Sequence, residues 1–117
     1  MSASKAELRE LMRRQLLEGS VSLCAQGNQS PLTQALRKFF PALSQAFLLY
    51  WLPEQAEDIY WVLVSRTEIA KVEVERNPEN EEKAASVEIV TVEAYRRRRL
   101  SQQVKEKLEV ALELMEW

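Results

Sequence analysis

The chain has no histidine, one cysteine and only two glycines among its 117 residues. The missing histidine removes the commonest general base and the commonest nitrogen ligand for metals. A lone Cys24 excludes an intrachain disulfide and fits a reducing, cytoplasmic compartment. Cys24 itself reads as a small apolar side chain rather than a nucleophile. With glycine confined to positions 19 and 27, neither a glycine-rich phosphate loop nor a nucleophile elbow can be built. No stretch approaches the roughly 20 apolar residues of a membrane helix. The N-terminus lacks the apolar core of a signal peptide, and Glu7, Glu10 and Glu18 speak against an organellar transit peptide. These gaps lead us to expect no catalytic set, no cofactor and no metal.

What is there is ordinary globular material. Hydrophobic residues make up 46% and charged residues 29%, a balance that supports one domain over residues 1–117 with a core of its own. The net charge of −2 hides a sorted distribution. Residues 1–52 carry +3, residues 53–94 carry −7 and residues 95–117 carry +2. Basic ends flanking an acidic middle can attract each other within the fold or between subunits, but the field is too weak to imply a nucleic-acid or membrane partner by itself.

The chain is organised around residues 58–76. Ile59 to Val64 is an almost wholly apolar run, suited to a strand covered on both faces. Ser65-Arg66-Thr67-Glu68 is a polar reversal. Beyond it Ala70, Val72 and Val74 alternate with Lys71, Glu73 and Glu75, the pattern of a strand with one face to the core and one to water. Residues 46–52 are an apolar run that suits a buried helix or a buried strand, and the aromatic pairing below favours the strand. If Leu52 pairs with Ile59, Trp51 falls opposite Tyr60 and Tyr50 opposite Trp61, and each aromatic pair contributes on the order of 0.2–1 kcal/mol. Residues 86–93 are a fourth strand, whose imperfect alternation suggests two-sided cover or a bulge.

Helices flank this middle. Ser4 and Glu7 form a capping box before Leu8, Leu11, Met12 and Leu16. Gly19 is expected to stop that helix near residue 18, the alternative being that Leu23 continues the stripe and Gly27-Asn28 is the stop. Ser30-Pro31 starts a second, which Pro41 ends near Phe40. Ser101 caps a third, whose apolar stripe runs through Val104, Leu108, Ala111 and Met115. Its own glutamates form no pairs along the helix, so we expect it to rely on its packed face. The expected fold is α+β: two N-terminal helices, a three- or four-stranded antiparallel meander (about 46–52, 59–65, 69–76 and 86–93) and a C-terminal helix packed on the sheet.

Two side-chain sets stand out. Tyr50, Trp51, Tyr60 and Trp61, with Trp117, could form a protein-binding hot spot. Adjacent strand residues point to opposite faces, so at least one aromatic of each pair needs cover on the second face. Arg96, Arg97, Arg98 and Arg99 could bind an anion or nucleic acid, though only one or two of four adjacent arginines can converge on one ligand. The bland alternative is a solvated strand-to-helix junction with arginines paired to glutamates of the acidic sheet. Glu79, Glu81 and Glu82 lack the spacing of a calcium loop, and Asp58, Glu73 and Glu75 lack the Glu-x-Lys of a metal-dependent nuclease hairpin. The sequence therefore favours a non-enzymatic protein-interaction protein (an adaptor, immunity protein or inhibitor) acting as a homo-oligomer. The alternative is an anion- or nucleic-acid-binding module using Arg96–Arg99.

Overall fold

The computed structural model describes residues 4–79 and 84–115. Trp117, Glu81 and Glu82 lie outside the described residues. The elements run α1 (Lys5–Leu23), α2 (Pro31–Phe39), β1 (Phe47–Pro53), β2 (Glu57–Leu63), β3 (Glu68–Glu75), β4 (Ala85–Thr91), α3 (Val92–Arg96) and α4 (Gln102–Leu114). The fold is α+β, and the strands form one antiparallel meander in the order β1-β2-β3-β4.

The caps legible in the sequence are in place. The Ser4, Ser30 and Ser101 hydroxyls accept from the amides of Glu7, Thr33 and Val104, each satisfying a donor the helix leaves open. α1, however, continues past residue 18 to Leu23. Gly19 has ordinary negative φ and sits inside the helix. Tertiary anchors outweigh its poor propensity. Leu16 is buried, and the buried Ser20 Oγ accepts from the Ala46 amide at 3.0 Å, tying α1 to the start of β1.

The fourth strand is also shorter than the 86–93 expected. The Thr91 hydroxyl accepts from the Ala94 amide at 3.0 Å, so Thr91 caps a short helix and Val92 leaves the sheet. β3 and β4 pair without a break from Glu68↔Thr91 to Val74↔Ala85. The bulge lies instead in β1, where the register shifts between Leu48 and Tyr50. The extra residue is Leu49, and the shift moves Tyr50 off the face of Leu48 and onto that of Leu49 and Trp61. The hairpin register is the expected one: Leu52↔Ile59, Trp51↔Tyr60 and Tyr50↔Trp61.

Helices cover both sheet faces, rather than one face meeting water. On one, Val62, Ala70, Val72 and Val74 pack with Leu32, Ala35 and Leu36 of α2. On the other, Phe47, Leu49, Leu63 and Ile69 pack with Leu16 of α1 and Leu108 and Ala111 of α4. The charges of α4 are also used between elements. Arg9 of α1 pairs with both Glu106 and Glu113, the latter at 2.8 Å. Cover of the α4 face is incomplete beyond Trp61, where Lys71 and Glu73 remain half-buried.

Candidate functional site

The uncovered end of the α4 face is a cavity of about 300 Å³. Its floor is sheet: Tyr50 and Leu52 of β1, Ile59 and Trp61 of β2, and Lys71 of β3. Tyr95 of α3 and the connection Arg98–Ser101, with Val104 of α4, supply the opposite wall. The local chemistry follows from the elements. The β1 bulge aims Tyr50 inward, and the early end of β4 turns the chain at Val92 so that Tyr95 drops onto Trp61. Those two rings lie 5.4 Å apart at 44°, within the range where tilted aromatic pairs attract.

The arginine cluster divides two and two. Arg96 pairs with Glu109 of α4 at 2.8 Å and Arg97 with Glu93 of α3 at 2.7 Å, so the partners are helical glutamates and not the sheet glutamates expected. Arg98 and Arg99 line the cavity instead. The Arg98 Cζ lies 4.0 Å from the Trp61 ring centroid and the Lys71 Nζ 5.3 Å from it. A guanidinium stacked on a ring keeps its in-plane N–H donors available. Among the described residues no hydrogen bond or ion pair engages the side chain of Arg98 or Arg99. Lys71 is held by Glu73 at 3.3 Å. Three cationic side chains and no carboxylate line the cavity.

Tyr95 is 1% exposed, and burial pushes its phenol up to about 12, so at neutral pH it is an O–H donor. Its hydroxyl has no hydrogen-bond partner among the described residues, yet no fully enclosed side-chain oxygen there lacks one. The hydroxyl therefore reaches the cavity surface. Both side chains whose charge it feels, Arg98 and Tyr50, line that cavity.

The aromatic set divides by sheet face. Tyr50 and Trp61 belong to the cavity. Trp51 and Tyr60 stack on the α2 face, with centroids 6.5 Å apart and planes 11° from parallel. Trp51 Nε1 donates to Asp58 Oδ1 at 3.0 Å, and Arg76 donates to both oxygens of the same carboxylate, at 2.8 and 3.2 Å. Trp61 is 5% exposed and Tyr60 half-buried, whereas Tyr50 and Trp51 are 43% and 52% exposed. Only the last two present surface. Asp58 and Glu73 point to opposite faces, and no cluster of three or more acidic or cysteine side chains suited to a metal occurs among the described residues.

The sequence singled out Tyr50, Trp61, Arg98 and Arg99 without placing them together. It missed Lys71, which reads as a solvent-facing strand residue, and Tyr95, which reads only as a lead-in to the arginines. The one available signal for Tyr95 was Thr91, a good cap that also fits a strand. Comparison with protein-family models, with curated proteins and with solved structures finds no match to this chain.

Proposed function

We propose that the chain is a non-enzymatic binding module that receives an anionic group in the cavity beneath Arg98 and Arg99. One observation carries this reading: three cationic side chains and no acidic one line a concave site, where a carboxylate or phosphate finds charge and donors and a cation finds neither. The absence of histidine from the sequence favours binding over turnover. An NMR titration of the ¹⁵N-labelled chain with acetate and inorganic phosphate at low ionic strength tests it. The expected shifts centre on Lys71, Tyr95 and Arg98–Ser101, and charge reversal at Arg98 and Arg99 removes them. Saturating anion with no shift at those amides refutes the reading.

A second reading rests on a different observation. Tyr50 and Trp51 are exposed side by side on β1, an edge strand of the sheet, and exposed tyrosine and tryptophan are the side chains most enriched at interfaces. On this reading the edge contacts a protein partner or a second copy in a homo-oligomer, within the reducing cytoplasm that the single free thiol fits. Sedimentation velocity at micromolar concentration tests self-association. A dimer that Trp51→Ser dissociates supports the copy as occupant, and a monomer removes it. For the membrane the structure adds one fact: no helix among the described residues is long and apolar enough to cross a bilayer.

A further inference from the structure

Resting on the anion-binding reading above, we infer that the cavity's ligand is a compact organic anion, a single carboxylate or phosphate head on an apolar body, rather than a nucleic acid or other polyanion. Three independent observations point to it.

The first is size. About 300 Å³ holds roughly ten waters at ~30 Å³ each, which suits a head group plus one ring or a short branched chain. The second is the wall. Leu52, Ile59, Leu100 and Val104 give an aliphatic lining, and the Tyr50 ring stands in the mouth. A bare inorganic anion would leave that surface in water. The third is the donor set. Arg98 is stacked on Trp61, Arg99 lines the same cavity and Tyr95 presents at the cavity surface a hydroxyl with no hydrogen-bond partner among the described residues. This hydroxyl can donate to an oxygen of the anion.

A polyanion needs a track of free cations along its backbone. Here Arg96 and Arg97 are tied to Glu109 and Glu93, and Glu73 sits beside Lys71. The positive site is therefore one head group wide and flanked by carboxylates.

The test compares four probes on the full chain by isothermal titration calorimetry at low salt: acetate, phenylacetate, inorganic phosphate and a short oligothymidylate. Phenylacetate is expected to bind about tenfold or more tighter than acetate, because its ring leaves water. Tyr95→Phe, with the fold checked by circular dichroism, is expected to weaken phenylacetate by about three- to tenfold. Equal affinities for acetate and phenylacetate overturn this inference and leave the anion-binding reading standing. Oligothymidylate binding tighter than phenylacetate also overturns it. If none of the probes binds, both fall together. The wild-type series decides the matter even if the variant does not fold.

Discussion

The Arg98 guanidinium carbon lies 4.0 Å from the centroid of the Trp61 ring, and beneath it Trp61 retains 5% exposure. Arginine thus covers the indole at the end of the α4 face that the helix leaves open. A cation on a desolvated indole face contributes about 0.5–2 kcal/mol, and the aliphatic part of the side chain adds cover. Arg98→Gln is expected to lower stability by about that amount in urea denaturation. Arg99→Gln, which removes no ring contact, is expected to stay within about 0.5 kcal/mol of wild type. Equal losses at the two positions would mean that the stack on Trp61 contributes nothing.

The hairpin register, the serine caps and the α+β class were legible in the sequence because each depends on neighbours within a few residues. Trp51↔Tyr60 follows from counting outward from a short turn. What eluded it depends on distant contacts. Gly19 looks like a stop until Ala46 arrives to bond Ser20. Val92 looks like strand until the Thr91 hydroxyl chooses the Ala94 amide over the ladder. The site was half legible: its arginines and aromatics are conspicuous, but their meeting depends on the β1 bulge and on α3, and neither has a strong local signature.

Gly19 offers a direct check on that account. A Cβ built there meets nothing within 4 Å, and the backbone is helical. Gly19→Ala should therefore stabilise the chain by about 0.5–1 kcal/mol through helix propensity. A loss of stability would place the end of α1 before residue 19 in solution.

Its neighbour should behave in the opposite sense. Ser20→Ala deletes the acceptor for the Ala46 amide, a buried bond of 3.0 Å. An orphaned buried donor costs about 1–3 kcal/mol. Urea midpoints and the hydrogen-exchange rate of the Ala46 amide both report it, with exchange accelerating at that amide. Unchanged protection would mean that another acceptor serves the amide.

Asp58 sets the acid limit of the hairpin. Bonds from Arg76, and then from Trp51, hold its carboxyl below the usual carboxylate range. A folded value below the unfolded one gives stabilisation that is complete above the unfolded value of about 3.9 and is lost as pH falls through the folded value. Asp58→Asn should destabilise the chain at pH 7 and converge on wild type in acid. A gap in urea midpoint that stays constant as pH falls would separate the pair from the acid limb.

Tyr95 governs the opposite limb. Burial raises its phenol to about 12, against about 10 in an unfolded chain. The neutral phenol is the form the fold tolerates. Its full contribution is present below the unfolded value and disappears as pH rises from there through the folded value, because only the unfolded chain sheds the proton in that window. Wild type should lose stability steadily over that range, and Tyr95→Phe should flatten most of the slope. A residual slope is expected from Tyr60, whose phenol burial also raises. Urea midpoints measured from about pH 9 upward distinguish the two chains. An alkaline limb that Tyr95→Phe leaves untouched would mean that the phenol ionises as freely in the folded chain as in the unfolded one, and so faces bulk water rather than the cavity wall.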